Sequence, residues 1–379
     1  MTPSDCSLLV LLFFVSIQLF FIAVVFARLI FYESRRYDQD GPEEGVSVII
    51  CAWNELENLR ELLPMLEDQD YPLYEVLVID DRSTDGTEEF LEAYCRDSSR
   101  VRTVRIKKEY DHITTKKYAV TIGQKHARYA TSLMTDADCR PAGDGWISSM
   151  MSRLGGRKEI VLGFSPYLEE KGLLNWFIRC ETFYTAVQYF SFASYGMPYM
   201  GVGRNLMYRK ELFFRNKGFY THGNVLGGDD DLFMNEVADS HNTACNLDPG
   251  SFMYSVPKKT WREWFIQKKR HLGVGRFYRK RFKLLLGLLA VSHIFTWVAA
   301  LGNAAWGLLT KDSYLLAGTA ILFGTRWILQ WLVLAVINRR LGTTVGSFFI
   351  PLMDFALFLY YMIMGGYNAF RKEQVARWR

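Results

Sequence analysis

Cysteine and proline are scarce in this sequence, which contains six cysteines and ten prolines among 379 residues. The cysteines are scattered, with no CxxC pair and no spacing with histidine that would suit zinc. The pattern argues against a disulfide framework and against a zinc module. Reduced cysteines acting as small buried apolar residues are the favoured interpretation. They predict that the polar part of the chain faces a reducing compartment.

Charge is also limited, because only 22% of the residues are charged and the formal net charge is +5. A nucleic-acid-binding protein would need a basic stripe with aromatic stacking positions on a recognised module, and the sequence has none. Nucleic acid is therefore not expected as a partner. The charged residues are concentrated in the middle of the chain, between long apolar runs at both ends. This division predicts a polar domain held by membrane segments.

The first long apolar run covers residues 8–32 and is long enough to cross a bilayer once as a helix. A cleavable signal peptide would have a basic start, a shorter apolar core and a small-residue cleavage site, and this run has a different pattern. Arg35 and Arg36 follow the run directly. Residues 1–36 are therefore predicted to be a retained membrane anchor with its basic flank in the cytoplasm.

Three more apolar blocks lie towards the C terminus, at residues 284–309, 314–337 and 345–370. They predict a C-terminal membrane region over 284–379. Its last block is expected to be broken or re-entrant, since it contains Pro351, Asp354, Gly365 and Gly366. The cation-rich stretch 258–283, with Trp261 among its cations, predicts an amphipathic helix at the membrane surface, with a solvated helix docked on the polar domain as the alternative. Together these features predict an integral protein of the plasma (inner) membrane with a cytoplasmic catalytic domain.

Between the apolar runs, residues 45–257 alternate between short apolar strands and amphipathic helices. Residues 46–50 and 74–79 have the composition of buried strands, and Asn54 is expected to cap the helix after the first strand. Strands separated by helices of this length predict an α/β domain with a mainly parallel sheet. Ligands of such sheets bind beyond the carboxyl ends of the strands, so polar residues at those ends are functional candidates.

Two acidic clusters directly follow predicted strands. Asp80 and Asp81 come at the end of the second strand, where carboxylates can accept hydrogen bonds from ribose hydroxyls and a base N–H. Asp136 and Asp138 follow a short apolar run, and residues two apart in an extended segment share one side. Both carboxylates can therefore address one cation. Oxygen ligands of this kind suit Mg²⁺ or Mn²⁺ bound together with diphosphate oxygens.

Two further polar clusters lie nearer the C terminus. Asp229, Asp230 and Asp231 open a predicted helix, and three adjacent carboxylates exceed what capping requires. Mutual repulsion is expected to raise at least one of their pKa values, as a general base requires. Gln267 and Arg270 are three residues apart and therefore share a helical face, where a cation would stabilise a departing diphosphate.

In this order and spacing, the segments VSVIICAWNE, DDRSTDGT, TDADCRP, GGDDDL and QKKRH resemble those of inverting family 2 glycosyltransferases with a GT-A fold. The flanking membrane segments are similar to those of the group that includes cellulose, hyaluronan and chitin synthases. The resemblance covers residues 46–271 by motif. It implies transfer of a sugar from a nucleotide-sugar donor, a UDP- or GDP-sugar, to a glycan or lipid-linked acceptor, assisted by Mg²⁺ or Mn²⁺.

The resemblance also implies roles for individual residues. The donor-binding positions are Glu55, Asp80, Asp81, Lys116 and Asp136. The metal ligands are Asp136 and Asp138. The acceptor-side positions are Gly203, Arg204, Asn205 and His271. The catalytic positions are Asp229 as the base, with Asp230 as its alternative, and Gln267 and Arg270.

Three positions depart from the family pattern. Thr115 replaces a glycine, which leaves either Lys116 or Lys117 as the donor-binding lysine. Gly228 stands where the family often has a first acid. His271 replaces the tryptophan of the QxxRW signature, which belongs to the acceptor site in the synthases.

Two alternative functions remain open from the sequence. A processive polysaccharide synthase would share the motifs and would be separated from a single-transfer enzyme by product length on a defined acceptor. A non-catalytic membrane protein that binds nucleotide-sugars would bind the donor without turnover, and it would leave the acidic triplet unexplained.

Overall fold

The structure, a computed structural model, describes residues 1–37, 44–108, 113–343 and 345–370. It divides into two units. The membrane unit comprises Met1–Tyr32, Trp176–Ser191 and residues 279–370. The α/β unit comprises the described parts of 33–175 and 192–278.

The regular elements of the described chain are numbered in chain order. The strands are β1 Val46–Ala52, β2 Tyr74–Asp81, β3 Val101–Ile106, β4 Thr131–Asp136, β5 Cys139–Pro141, β6 Ile160–Leu162, β7 Leu206–Arg209, β8 Thr243–Cys245 and β9 Met253–Ser255. The α-helices are α1 Pro3–Phe20, α2 Arg28–Phe31, α3 Leu56–Glu67, α4 Thr87–Asp97, α5 Thr115–His126, α6 Trp146–Met151, α7 Leu173–Ser194, α8 Lys210–Arg215, α9 Asp231–Val237, α10 Trp261–Val274, α11 Lys280–Thr310, α12 Ser313–Arg340 and α13 Ile350–Phe370. A π-helical segment, Phe21–Phe26, joins α1 to α2, and short 3₁₀ helices cover Gly203–Asn205, Pro249–Ser251, Gly275–Phe277 and Ser347–Phe349.

The α/β unit contains a seven-stranded sheet in the order β3-β2-β1-β4-β7-β6-β8, while β5 pairs with β9. The four strands β3, β2, β1 and β4 are parallel neighbours, whereas β7 runs antiparallel to both β4 and β6. The final pair, β6 and β8, is parallel again. The predicted α/β fold with a mainly parallel sheet is therefore confirmed.

The sheet is stabilised by helices that pack on its apolar strands. On α3, apolar residues recur at intervals of three and four, so that Leu59, Leu62, Leu63 and Leu66 are fully buried. They share one core cluster with strand residues such as Val48. Strands β1 and β2 are buried along almost their whole length, as strands covered on both faces are.

The prediction for Asn54 is wrong, because this residue does not cap the helix after β1. Its φ is +56°, and its side-chain Oδ1 accepts a hydrogen bond from the Thr84 N–H at 2.8 Å. Glu55 occupies the N-cap position of α3 instead. Asparagine tolerates the left-handed region better than most residues, and here its amide ties the end of β1 to the loop after β2.

Within the described residues, four helical segments are long and apolar enough to cross a membrane: Pro3–Phe31, Lys280–Thr310, Ser313–Arg340 and Ser347–Tyr367. They correspond to the predicted anchor and the three C-terminal blocks. The expected break in the last block is wrong, since α13 is a continuous helix. Pro351 lies in its first turn, where the missing N–H removes no helical hydrogen bond. The basic tail 371–379 lies outside the described residues.

The interior of the membrane unit contains a buried polar cluster. Arg326 of α12 pairs through both Nη atoms with the Asp354 carboxylate of α13, and Nη2 lies 2.9 Å from Oδ1. The same Nη2 donates to Nδ1 of His293 on α11 at 2.8 Å and to Oε1 of Gln18 on α1 at 3.1 Å. Gln330 donates to Asp354 at 2.7 Å. Each of the four membrane-length segments therefore contributes to one network, and all five side chains are at most 2% exposed.

Candidate active site

The carboxyl ends of β2, β1 and β4 form one edge of the sheet. In the register of these parallel strands, Ala52 of β1 pairs with Asp80 of β2, and Cys51 pairs with Asp136 of β4. Asp80 and Asp136 therefore lie on either side of the end of β1. This edge is where open α/β sheets bind their ligands.

Asp80 and Asp81 are almost fully buried, with 1% and 7% exposure. Asp80 Oδ1 accepts the Ser83 N–H at 3.0 Å, while its Oδ2 has no hydrogen-bond partner among the described residues and lies 3.7 Å from Arg105 Nη1. Asp81 Oδ1 is 2.9 Å from Arg82 Nε. A buried carboxylate oxygen without a hydrogen bond is uncommon in native proteins. Such an oxygen is suited to accept a hydrogen bond from a ligand.

Asp85, in the same motif, has a structural role. Its Oδ1 accepts the Thr87 N–H at 3.1 Å and its Oδ2 accepts the Leu56 N–H at 3.1 Å. Each oxygen thus satisfies an amide in the first turn of a helix. Ser83 Oγ similarly accepts the Asn54 N–H at 2.9 Å. The residues that stay available to a ligand in this motif are the two aspartates at the strand end.

Asp136 and Asp138 lie close enough to influence each other's ionisation. Burial and the neighbouring Asp136 raise the pKa of Asp138. Burial also raises the pKa of Glu55, and Asp138 adds to that rise. Although burial opposes it, the Lys116 ammonium lowers the pKa of Asp136. Negative charge is therefore concentrated at this end of β4.

The carboxylate pair also meets the requirements of a hard divalent cation. No group of three or more histidine, cysteine or acidic side chains is arranged to hold a metal in the described ranges of the chain. Mg²⁺ is often bound in proteins by one or two carboxylates, with substrate phosphates and water completing the shell. Asp136 and Asp138 fit that donor set.

Lys116 joins the strand-end aspartates to the acidic triplet. Its Nζ lies 3.0 Å from Asp136 Oδ1 and 3.4 Å from Asp229 Oδ2. Lys117 is fully buried and its Nζ donates to two backbone carbonyls of the loop before the triplet. Of the two candidate lysines, Lys116 is the one whose ammonium meets the carboxylates.

The three aspartates of the triplet have different partners. Asp230 caps α9, and its Oδ1 and Oδ2 accept the N–H groups of Asp231 at 2.8 Å and Gly203 at 2.7 Å. Asp231 Oδ2 accepts from the Tyr278 hydroxyl at 3.0 Å. Burial, followed by repulsion from Asp229, raises the pKa of Asp230. The rise expected from mutual repulsion is present, with burial as the larger cause.

An acid in place of Gly228 would be strained and crowded in this backbone. Its φ is +74°, and a Cβ at this position would lie 2.7 Å from Leu232 Cγ and 3.0 Å from Val274 Cγ1. Side chains other than glycine rarely adopt this conformation. The departure from the family pattern at this position is therefore accompanied by packing that leaves little room for a side chain.

Arg204 and Gln267 meet at Tyr167. Arg204 Nη1 donates to the Tyr167 hydroxyl at 3.1 Å, and its Nε donates to Ser165 Oγ at 3.0 Å. Gln267 Nε2 lies 3.4 Å from the same hydroxyl. Tyr167 thus connects the segment around Gly203 with helix α10.

The remaining predicted residues differ in their surroundings. Asn205 is fully buried, where it donates to two backbone carbonyls and accepts from Trp146 Nε1 at 3.0 Å. This is the environment of a structural residue. The charge of Arg270 lowers the pKa of Asp136, which places it within electrostatic reach of the strand-end carboxylates. His271, the next residue of α10, is exposed.

Tyr167 and Tyr278 were not predicted from the sequence as residues of the site. Neither lies in a motif, and each acts on a residue distant in sequence: Tyr167 on Gln267, 100 positions away, and Tyr278 on Asp231, 47 positions away. A tyrosine in a partly apolar segment carries no local signal for such a contact, because it is equally suited to the core.

Residues 47–215 match the family model described as glycosyl transferase family 2. Together with the mostly parallel sheet and the strand-end aspartates, this match identifies the fold of the α/β unit as GT-A. The chain contains a family 2 glycosyltransferase domain.

Two curated proteins are similar over part of the chain. Glycosyltransferase AglE of Haloferax volcanii is 34% identical over 120 residues, which cover 31% of this chain and 38% of that protein. The putative teichuronic acid biosynthesis glycosyltransferase TuaG of Bacillus subtilis is 29% identical over 91 residues, which cover 24% and 35%. The matched region thus spans less than two fifths of either relative.

The fold is also similar to that of a solved structure, mannosyltransferase PcManGT from Pyrobaculum calidifontis in complex with GDP-Man and Mn²⁺. The similarity has a TM-score of 0.60 and 19% sequence identity, and it covers 89% of this chain and 98% of that one. At this identity the likeness establishes the fold.

Proposed function

We propose that this protein transfers a sugar from a nucleotide-sugar donor, a UDP- or GDP-sugar, to a glycan or lipid-linked acceptor at a membrane, with inversion at the anomeric carbon. One observation carries the proposal: Lys116 contacts both Asp136, at the end of a central strand, and Asp229 of the acidic triplet. Donor-side and base-side carboxylates thus meet at one point, as single displacement requires.

On the donor side, Asp80 and Asp81 bind the nucleoside through their buried carboxylates, with Glu55 nearby. Asp80 Oδ2 is the acceptor for a ribose hydroxyl or base N–H, since it accepts no hydrogen bond within the described chain and Arg105 Nη1 lies 3.7 Å away. Asp136 and Asp138 would hold Mg²⁺ or Mn²⁺ against the diphosphate. When bound, such a cation supplies Lewis-acid stabilisation of the phosphate charge. The solved neighbour with GDP-Man and Mn²⁺ is consistent with this assignment.

Asp229 is the proposed general base, in preference to Asp230. Both oxygens of Asp230 are already engaged by backbone N–H groups, so this residue is held as a cap. Asp229 contacts Lys116 and has no backbone donor among the described contacts. A base must keep a lone pair available for the proton that it removes.

The reaction follows as one displacement. The acceptor hydroxyl oxygen attacks the anomeric carbon while its proton passes to Asp229. The bond between that carbon and the diphosphate oxygen breaks on the opposite side, and the electron pair leaves with the nucleoside diphosphate. Lys116 and Arg270 face the developing negative charge as preorganised cations. Gly203 and Arg204 border the acceptor side. His271, which follows Arg270 on α10, is assigned to the same side.

We also propose that residues 45–257 form the catalytic domain, that 258–283 contact the membrane surface and that 1–36 and 284–379 are its membrane segments. The catalytic domain then faces the cytoplasm at the plasma (inner) membrane. Four membrane-length helical segments in the described chain support insertion. Arg36 of the basic flank is also used within the α/β unit, where it lies 3.1 Å from Asp248. Protease protection of vesicles of known orientation tests the cytoplasmic placement.

A nucleotide-sugar panel tests the activity. The purified full chain, in detergent with added lipid, is incubated with UDP- and GDP-sugars in the presence of Mn²⁺ or Mg²⁺, and released nucleoside diphosphate is measured. We expect release with at least one donor, increased by an acceptor. Binding of a donor without release from any of them would favour a non-catalytic binding protein.

Asp229→Asn provides the matched test of the base. Turnover is expected to fall about a hundredfold or more, while donor affinity stays within a few-fold. Product length on a defined acceptor, measured in the wild type, distinguishes single transfer from processive synthesis. Unchanged turnover of Asp229→Asn would remove the base assignment.

A further inference from the structure

Lys117 is a buried ammonium outside the proposed reaction. It follows Lys116 on α5, the residue is 0% exposed, and within the described chain its ammonium bonds to backbone carbonyls where Lys116 pairs with carboxylates. Burial lowers its pKa to about 8. Keeping a cation in such a place is unfavourable unless its hydrogen bonds compensate.

The Lys117 ammonium is used to hold backbone. Its Nζ donates to the carbonyl oxygens of His222 at 2.6 Å and of Val225 at 2.7 Å. The same loop is bound a second time at the start of α5, because the N–H of its N-cap residue Thr114 donates to the Gly223 carbonyl at 2.9 Å. An ammonium with three rotatable donors can bind two carbonyls of one turn at once, which no apolar residue can do.

This loop ends directly at the proposed base. Residues 222–225 lead to Gly227 and Gly228, whose φ values are +78° and +74°. Two successive left-handed glycines form a flexible joint when nothing fixes the segment in front of them. The position of Asp229 therefore depends on where the 222–225 turn is held on one side, and on the cap that Asp230 forms on the other.

We propose that Lys117 is a positioning residue for the sugar-transfer reaction, which fixes the 222–225 turn and thereby places Asp229 beside Lys116. This inference rests on the proposed function, in that it assigns Asp229 to the reaction. Adjacent lysines of one helix then divide the work: Lys116 contacts the carboxylates, and Lys117 holds the loop that carries one of them.

The test compares Lys117→Met with Lys125→Met, a control that removes an exposed lysine from the same helix. Amide hydrogen exchange of residues 222–228 is measured in the full chain, together with Mn²⁺ binding by titration calorimetry. Steady-state kinetics use the nucleotide sugar that gives the highest wild-type turnover in the panel. A misplacement of catalytic groups by about 1 Å lowers turnover about a hundredfold.

We expect Lys117→Met to exchange residues 222–228 at least about tenfold faster, since charge-assisted hydrogen bonds are lost. Its kcat should fall about a hundredfold while its donor KM and Mn²⁺ affinity stay within a few-fold of wild type. Lys125→Met should match the wild type. Lys117→Arg, which keeps the charge and donors, should recover part of the loss.

Two results would overturn the proposal: wild-type exchange and kcat in Lys117→Met, or equal losses of kcat, Mn²⁺ binding and thermal stability. The second result, or failure of both Lys117→Met and Lys117→Arg to fold, would assign Lys117 to the core. If the wild type turns over no nucleotide sugar, the proposed function fails, yet the exchange measurement still tests the restraint on the loop.

Discussion

The membrane unit and the α/β unit both bury charged side chains, but they balance the charge in different ways. In the membrane unit, Arg326 binds Asp354 through two nitrogens, and His293 accepts a further hydrogen bond. One cation meets one anion there. In the α/β unit, the single Lys116 ammonium lies between two carboxylates, those of Asp136 and Asp229.

This difference indicates what each cluster is for. A buried charge is tolerated when it is paired, so the charges of Arg326 and Asp354 balance each other, although Arg326 Nε and His293 Nε2 have no hydrogen-bond partner among the described residues. Two carboxylates lie within contact distance of the single Lys116 ammonium, so negative charge is in excess there. A bound cation would stabilise that charge. Side chains of the same types thus serve architecture in one unit and, as we propose, chemistry in the other.

The largest expected effect comes from removing the cation of the buried polar cluster in the membrane unit. Arg326→Leu should destabilise the protein by about 3–5 kcal/mol, because the Asp354 carboxylate stays buried without its partner. The double variant Arg326→Leu with Asp354→Leu should recover most of that loss. Thermal unfolding in detergent measures both. If the double variant is as unstable as the single one, the instability does not come from an unpaired Asp354 carboxylate.

In the α/β unit, removing one carboxylate should lower turnover and leave the stability of the fold almost unchanged. Asp136→Asn removes a proposed metal ligand, so turnover should fall about a hundredfold to a thousandfold and Mn²⁺ affinity should drop. The melting temperature should stay within a few degrees, because Lys116 keeps Asp229 as its partner. Asp97→Asn, at an exposed position of α4, is the control. If Asp136→Asn is strongly destabilised, the carboxylates around Lys116 would have a structural role like that of the Arg326–Asp354 pair.

Within the triplet, Asp230→Asn should show the reverse of Asp229→Asn. Asparagine offers one acceptor where Asp230 uses two, so one of the N–H groups of Gly203 and Asp231 loses its bond. Stability should fall by about 1–2 kcal/mol, while turnover of the folded fraction stays within about tenfold. Denaturant unfolding and single-turnover kinetics measure the two effects. A larger catalytic loss in Asp230→Asn than in Asp229→Asn would exchange their roles.

The smallest effect concerns acid sensitivity of the α/β unit. Although burial opposes the shift, hydrogen bonds from His222, Thr221 and Asn216 lower the pKa of Glu236 to about 2. The stability that Glu236 contributes is therefore present above about pH 4.5 and lost as the pH falls towards 2.

Glu236→Gln should be less stable than the wild type at pH 7 by less than about 1 kcal/mol, given the partial exposure of the group. The difference should disappear as the pH falls from 4.5 to 2. Thermal unfolding at several pH values measures it, and the exposed Glu211→Gln serves as control. A constant difference at all pH values would mean that charge is not its cause.

Local pattern was enough to predict most of the fold. The apolar runs of β1 and β2 and the membrane-length helices were each predicted from short-range periodicity and length. The same rule placed Asp80 and Asp136 at strand ends, and parallel pairing then makes them neighbours. Asn54 was mispredicted because tertiary contact with Thr84 outweighed its capping preference.

The parts of the site that escaped prediction depend on contacts between distant segments. Lys117 meets the His222 carbonyl across 105 positions of sequence, and nothing in the residues around either one signals the contact. The same holds for the division of roles between Asp229 and Asp230, which depends on Gly203 lying beside one of them. Side-chain partners of this kind follow from the packed fold and not from spacing.

Gly228 limits how this protein can vary. Any side chain there meets Leu232 and Val274 and also requires a strained φ, so single substitutions at this codon should be rejected as a group. The acid that the family often has at position 228 is thus out of reach by one mutational step. Saturation mutagenesis of this position should therefore yield few functional variants, and shortening residue 232 or 274 as well should rescue them only in part, because it removes the clash and leaves the strained φ.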